Sequence, residues 1–323
     1  MSPGSNSQLL SMKINTKLSV IIPVCHRFDN ITELYIEYKH NIEIYTHQYE
    51  IIFVLDGQTP SAYKQLDSLI QQGEKFRIIK LSRNFGEAAA LTAGFEHSNG
   101  NIILTLPAYY QVDPSEIPKI LEEKKNWDMI ISRRNPRTGS KFEKMRRHIF
   151  HWFLYYVTGY KFHDLGSNMR VFDRKVMSEI PVYADQFRFL PILAARMGFK
   201  VLELNLKQSP KDYYHHGYRL REYLHRLLDI LTVFFLVRFT KKPLRFFGMI
   251  GSLTFIAGGL ITLYLVFERL FLDVGLAERP ALLLSSLLVV LGIQIIAIGL
   301  IGELIIFTHA KELKEYTIER IIN

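Results

Sequence analysis

The chain has 323 residues, 48% of them hydrophobic and 22% charged, which is enough apolar material for a sizeable core and too much for a disordered, collagen-like or low-complexity protein. Its single cysteine, Cys25, excludes an internal disulfide framework and a cysteine-cluster metal site. A formal charge of +9 and a pI near 9.4 point to anionic partners such as nucleic acid, anionic lipid or a phosphorylated substrate, while a mean hydropathy of +0.07 suits a polar part joined to a greasy one.

Residues 1–17 form a polar tail with no apolar stretch of signal-peptide type. Leu18 to Val24 (LSVIIPV) is a continuous apolar run ended by a polar turn, the pattern of a buried parallel strand. Similar runs follow at Glu50 to Leu55, Phe76 to Leu81 and Asn101 to Leu106, and helical stretches lie between them at Ile31 to Tyr45, Ser61 to Gln72 and Gly86 to His97. Strands alternating with helices predict a βαβ parallel sheet, and such sheets bind ligands at the carboxyl ends of their strands. The residues just past each strand are therefore site candidates: His26 and Arg27, Asp56, Arg83 and Asn84, and Gln111 and Asp113.

Farther along, Phe142 to Tyr160 is rich in aromatics and opens with Lys141, Lys144, Arg146 and Arg147. Tyr218 to Phe239 reads as an amphipathic helix, with Leu220, Leu224, Leu227, Leu228 and Leu231 against Arg219, Arg221, Arg226 and Arg238. Both stretches suit a membrane surface or a domain core, and the two readings are compatible. The uncharged runs from about Phe246 to Phe267 and from Ala281 to Gly302 each have roughly the 20 residues that a bilayer-crossing helix needs. Gly248, Gly251, Gly258 and Gly259 in the first run, and Gly292, Gly299 and Gly302 in the second, would let two such helices approach closely. Lys241, Lys242 and Arg245 before the pair and Lys311 and Lys314 after it place both termini on the cytoplasmic side by the positive-inside rule.

Five blocks carry a resemblance: SVIIPV (Ser19 to Val24), LDG (Leu55 to Gly57), LSRNFGEAAALTAGF (Leu81 to Phe95), ISRRNPRTG (Ile131 to Gly139) and DLGSNMRVFDR (Asp164 to Arg174). In this order, ahead of two apolar spans and with FLPILA (Phe189 to Ala194) and GLIGELI (Gly299 to Ile305), the chain resembles the membrane-anchored family-2 glycosyltransferases that act as polyprenyl-phosphate (dolichyl- and undecaprenyl-phosphate) sugar synthases. The resemblance implies a cytoplasmic α/β domain of GT-A fold, with a Rossmann-like, mostly parallel sheet. It also implies a nucleotide-sugar donor, a polyprenyl-phosphate acceptor, and an inner-membrane, multi-pass location. The expected division is a tail at 1–17, the GT-A domain at 18–217, an interfacial helix at 218–243, a two-helix hairpin at 244–307 and a cytoplasmic tail at 308–323.

By the same resemblance, Pro23, Asp56, Arg83 and Gln111 are donor-binding candidates, and Arg27 joins them by its place just past the first strand and its charge, with Asp56 toward the base or ribose and Arg27 and Gln111 toward the diphosphate. Arg134 and Arg137 would grip the lipid phosphate, and Asp164 and Arg170 are the catalytic candidates, Asp164 facing the sugar. A helix-capping role for Asp164 is the alternative.

The family's Asp-Ala-Asp-Leu-Gln-Asp-Pro-Pro pattern, which holds Mg²⁺ or Mn²⁺, is departed from here. It reads Pro107-Ala108-Tyr109-Tyr110-Gln111-Val112-Asp113-Pro114, so Pro107, Tyr109 and Val112 replace the three aspartates. Arg27 stands where a glutamate is usual, and Leu55-Asp56-Gly57 replaces Asp-Asp-Gly. A divalent-cation cofactor is therefore not expected. Two readings stay open: a metal-independent transferase in which Arg27 supplies the missing positive charge, or an inactive relative serving as a membrane scaffold or regulatory subunit. Asp212 with His215 and His216 is a weak metal signal, Gly86 and Gly94 make no dinucleotide fingerprint, and no nucleic-acid module accompanies the basic charge. A homo-oligomer is left open.

Overall fold

The computed structural model describes residues 17–136, 145, 148, 151, 152, 154–156, 158–180, 184–212, 243–272 and 280–309. It divides into two compact units, one holding the sheet and one holding two long helices.

Strand β1 (Leu18–Val24) is buried along its whole length, as its continuous apolar sequence requires. It lies between β2 (Tyr49–Leu55) and β4 (Ile102–Thr105), parallel to both, and β3 (Arg77–Lys80) adds in parallel beyond β2. On the other side come β6 (Arg170–Asp173), β5 (Met129–Arg134) and β7 (Val201–Leu206), completing a seven-stranded order β3-β2-β1-β4-β6-β5-β7 among the described residues. The four strands and three helices expected from the first hundred residues are observed within one residue at each end. The sheet is mixed rather than wholly parallel, because β6 runs antiparallel to both β4 and β5. The chain moves from β1 toward β2 and β3 and then returns to β4 on the other side. The gap between the carboxyl ends of β1 and β4 is thus a topological switch point, where open α/β sheets bind ligands.

The helices are placed by their apolar faces. In α1 (Ile31–Tyr45), Ile31, Leu34, Tyr35, Tyr38 and Ile42 recur at helical spacing and are buried, and Asn30 caps its start by accepting from the Glu33 N–H. Tyr35, Phe53 and Phe76 form an aromatic cluster with centroids 5.2–6.2 Å apart, joining α1 to β2 and to the segment ahead of β3. Helix α2 (Pro60–Gln71) buries Ala62, Leu66 and Leu69. Helix α3 (Glu87–Glu96) lies directly on the sheet because Gly94 lacks a side chain: a Cβ there would come within 2.5 Å of Ile21. Helices α4 (Ile117–Glu123), α5 (Arg174–Glu179) and α6 (Leu190–Arg196) are short and complete the unit.

The second unit consists of α7 (Pro243–Leu272) and α8 (Pro280–His309), both long and apolar enough to cross a membrane. They pack antiparallel along a seam of small residues. A Cβ on Gly251 would meet the Gly292 carbonyl at 2.8 Å, one on Gly258 the Ser285 carbonyl at 2.9 Å, and one on Gly299 the Phe247 Cβ at 2.9 Å. Gly251, Gly258 and Leu265 on α7 face Ser285, Gly292 and Gly299 on α8, each set seven residues apart and buried, a repeat that keeps one seam in register. Not every glycine of these helices serves that approach: a Cβ on Gly259 would meet nothing, and one on Gly248 only Leu244 of its own helix. At one end of the pair, Glu303 accepts from the Leu244 N–H (3.3 Å), setting a carboxylate on the amino terminus of α7.

Residues 218–242 of the expected interfacial helix, the histidines at 215 and 216, the chain ends and most of the basic run at 137–147 lie outside the described residues, and Pro243 opens α7. Within the aromatic stretch that follows, Trp152 and Tyr156 stack at 6.1 Å and are exposed, as is Tyr155.

Candidate active site

Arg27 follows β1 and folds its guanidinium over the ring of Tyr109, which follows β4, with 3.8 Å from the guanidinium carbon to the ring centroid. The two segments are stitched together beneath this stack: Asp29 donates its N–H to the Ala108 carbonyl and accepts from the Tyr110 N–H, and the buried Tyr38 hydroxyl reaches the Pro107 carbonyl. On its outer side Arg27 Nη2 reaches Asp212 Oδ1 at 3.0 Å. Asp212 belongs to a strap beyond β7 that lies against the chain after β4. Asp113 donates its N–H to the Lys207 carbonyl, Ser209 donates to Gln111, and Val112 bridges Gln208 in antiparallel fashion. Lys211 fastens the strap to α1 through Glu33 and Glu37.

A second guanidinium closes the other side. Arg134, at the end of β5, forms a bidentate pair with Asp164, Nε to Oδ2 at 2.8 Å and Nη2 to Oδ1 at 2.9 Å, and both side chains are buried. Burial alone would lower the Arg134 pKa, but the Asp164 carboxylate raises it above its ordinary value, so the guanidinium stays charged. Arg134 Nη1 also lies 3.9 Å from Asp212 Oδ2, so Asp212 stands between the two guanidiniums.

The loop leading into β6 is held from several sides. Glu203 of β7 accepts the N–H groups of His163 and Asp164 and the His163 ring. Arg170, fully buried, donates to the carbonyls of Leu165, Ser167 and Phe187, and burial pushes its pKa down to about 10. Gln111 donates to the Gly166 carbonyl and accepts from the Asn168 N–H, and Asn168 joins Glu87 of α3 to the Tyr109 hydroxyl.

The structure thus brings together Arg27, Gln111, Arg134 and Asp164 of the sequence candidates. Arg170 lies beneath them, its guanidinium committed to the backbone of the loop that carries Asp164. Asp56 sits at the neighbouring end of β2, where its two oxygens accept from the Phe85 and Gly86 N–H groups at 2.7 and 2.9 Å and so cap the approach to α3. Gly57 beside it takes φ +80°, and a Cβ there would overlap the Asn84 side chain. Arg83 is exposed against the Phe85 ring, and Pro23 is buried within β1. Arg137 lies outside the described residues. Sequence reasoning missed Tyr109 as a stacking platform, Asp212 as the partner of two arginines, and Glu87, Asn168 and Glu203. The alternation in Val201 to Leu206 gave no sign of Glu203, because that residue falls with Asn205 on the polar side of the strand, opposite Leu202, Leu204 and Leu206.

The divalent cation implied by the resemblance can be tested against these donors. Pro107 and Val112 have no side-chain oxygen and so cannot supply an anionic ligand. Burial pushes the Tyr109 phenol up to about 12, with Glu87 adding to the rise and Arg27 and Arg134 opposing it, so it is neutral near pH 7. Asp113 caps the turn at Ser115, and Asp164 and Asp212 already face guanidiniums. Among the described residues no three His, Cys, Asp or Glu side chains converge. A hard cation prefers several anionic oxygens and would here sit beside Arg27, so the residues present do not fit one.

The profile described as Glycosyl transferase family 2 matches residues 19–181. A dodecaprenyl-phosphate galacturonate synthase of Rhizobium johnstonii is 26% identical over 315 residues, covering 96% of this chain and 92% of that protein. An undecaprenyl-phosphate 4-deoxy-4-formamido-L-arabinose transferase of Photorhabdus laumondii is 29% identical over 311 residues, 95% of this chain and 94% of its own. Among solved structures, glucosyl-3-phosphoglycerate synthase from Mycobacterium tuberculosis, in complex with Mn²⁺, uridine diphosphate and phosphoglyceric acid, superposes with a TM-score of 0.53 at 16% identity. That match covers 72% of this chain and 84% of the other, a likeness of fold alone.

Proposed function

Because this chain belongs to glycosyl transferase family 2, we propose that it transfers a sugar from a nucleotide-sugar donor to a polyprenyl phosphate at a membrane surface, without a divalent cation. The observation that carries the reading is the extent of the likeness to two polyprenyl-phosphate sugar transferases, which takes in the sheet unit and both apolar helices alike.

In such a transfer an oxygen of the lipid phosphate attacks the anomeric carbon, a new carbon–oxygen bond forms, and the bond to the nucleoside diphosphate breaks with its electron pair leaving on the diphosphate. The attacking phosphate is already anionic at neutral pH, so no strong base is required. The demand is for positive charge around two sets of phosphates, arranged in advance. Arg27, steadied on Tyr109, faces the donor diphosphate; Gln111 and Asn168 hold the loop beside the sugar; and Asp164, locked on Arg134, orients the reacting groups. Arg134 and Arg137 grip the lipid phosphate, and Asp56 shapes the end of the site toward the nucleoside. Helices α7 and α8 span the inner membrane, with the domain at 18–217 and both termini on its cytoplasmic face, an interfacial helix at 218–243 and tails at 1–17 and 308–323.

A second reading rests on the replacement of the pattern aspartates by Pro107, Tyr109 and Val112: a member that binds lipid phosphate and organises partners without turnover. Purified full-length protein in lipid nanodiscs, given a panel of nucleotide sugars and a polyprenyl phosphate, separates the two. Transfer that persists in EDTA is the expected result. Transfer abolished by EDTA would overturn metal independence, and no transfer with any donor would favour the non-catalytic reading.

A further inference from the structure

Arg27, Arg134, Asp164 and Asp212 form a cluster of two cations and two anions at the site. Two of these contacts differ in kind. Arg134 and Asp164 meet through both ends of each group, deep in the unit, and each fills the other's hydrogen-bonding face. Asp212 instead touches Arg27 through a single contact at 3.0 Å and stands off from Arg134 at 3.9 Å, its side chain largely buried beside a more exposed Arg27. Its other support is Gln208, whose amide donates to Oδ2 at 2.9 Å from the same strap. A carboxylate between two guanidiniums has the charge and the acceptor oxygens of a phosphate group in the same place. An incoming phosphate cannot share the position with it, since two anions at contact distance repel strongly.

We infer that the space between the Arg27 and Arg134 guanidiniums is a phosphate subsite and that Asp212 is its resting occupant, a built-in anion that a substrate phosphate must displace. The inference deepens the proposed transfer reaction and rests on it for the identity of the phosphate. On the Arg27 side the ligand is the diphosphate of the donor; on the Arg134 side it is the phosphate of the lipid. Displacement also explains why a strap, rather than a strand of the sheet, carries the carboxylate. Residues 207–212 are held to the chain after β4 by a few backbone bonds and to the surface of α1 by Lys211, outside the hydrogen-bonded ladder of the sheet. While the subsite is empty of substrate, Asp212 keeps two guanidiniums compensated and in place.

The test uses full-length protein in nanodiscs and two probes, inorganic pyrophosphate for the donor side and farnesyl phosphate for the acceptor side, with affinities measured by calorimetry. Asp212→Asn is expected to tighten at least one probe about tenfold, and the probe that tightens identifies the phosphate. Asp212→Glu, which keeps the charge, is expected to bind both probes as the wild type does. Asp212→Ser serves as a second neutral variant should the asparagine substitution fold poorly. Unchanged or weaker binding of both probes by the neutral variants overturns the inference, because it would mean that Asp212 only orients Arg27. A chain that tightens on a probe yet transfers no sugar keeps the subsite and loses the proposed reaction; transfer without tightening does the reverse.

Discussion

The sheet unit and the helix pair bury opposite kinds of residue. In the sheet unit the interior is Ile, Leu, Val, Phe and Tyr, from Val20 and Ile22 to Phe53 and Leu104. In the helix pair the buried positions include Gly251, Gly258, Ser285, Gly292 and Gly299, while Leu253, Leu263 and Leu283 are about 70% exposed (72%, 67% and 75%). Each unit is arranged for a different surrounding medium. Water drives large apolar side chains inward. A hydrocarbon surrounding gives them no reason to hide, and association then depends on backbones close enough for van der Waals contact.

The sharpest way to break this contrast is to truncate one large apolar side chain in each unit. Phe53→Ala should cost the sheet unit about 3–5 kcal/mol, read by chemical denaturation, because it empties a packed aromatic cluster. Leu263→Ala on the outer face of α7 should change stability by about 0.5 kcal/mol or less in nanodiscs; comparable losses would mean that the helix pair is packed against protein instead. The inverse experiment enlarges small residues. Gly292→Leu should destabilise the pair by about 1–3 kcal/mol, since even a Cβ would lie 2.6 Å from the Phe255 nitrogen, whereas Gly259→Leu should be tolerated. Equal thermal stability of the two variants in detergent would dissolve the seam.

Polar contacts sharpen the comparison from the side of the sheet unit. Asp56→Ala leaves two backbone N–H groups of the β3–α3 turn without their acceptor and should cost about 1–3 kcal/mol by denaturation. At Asp128, burial would raise the carboxyl pKa, but Lys175 and the Lys200 N–H outweigh it and hold the group below its ordinary 3.8. A depressed carboxyl contributes stability above its unfolded pKa and loses it as the pH falls through the folded value. Asp128→Asn should therefore cost about 1 kcal/mol near pH 7, with the variant and wild-type curves converging below pH 3.8; a difference that persists in acid would remove the ionic origin.

Local pattern explains which of these features could be read in advance. The buried strands β1 and β2, helix α1 and the two apolar helices are encoded by contiguous runs or by fixed spacing, so their bounds follow from the residues themselves. Strand β6 was not legible as a strand: Arg170 to Asp173 offers only two apolar residues between charges, and its place in the sheet is decided by β4 and β5, far away in the chain. In the site, Arg27, Gln111, Arg134 and Asp164 were legible because they follow strands or fall in recognisable blocks. Asp212 and Glu203 were not, since their importance comes from partners 185 and 40 residues away respectively. The seven glycines of the helix pair were named without distinction, because composition cannot tell which face of a helix meets its neighbour.

The reversed direction of β6 has one more consequence. Chain leaving β5 at Arg134 and chain entering β6 at Arg170 stand on the same rim of the sheet, so everything between them is an excursion that departs from the site and comes home to it. Such a cassette can be lengthened, shortened or exchanged without rethreading a single strand, which makes the part of it between Asn135 and Phe162, ahead of the loop that carries Asp164, the natural place for an evolving enzyme, or an engineer, to change what the site accepts.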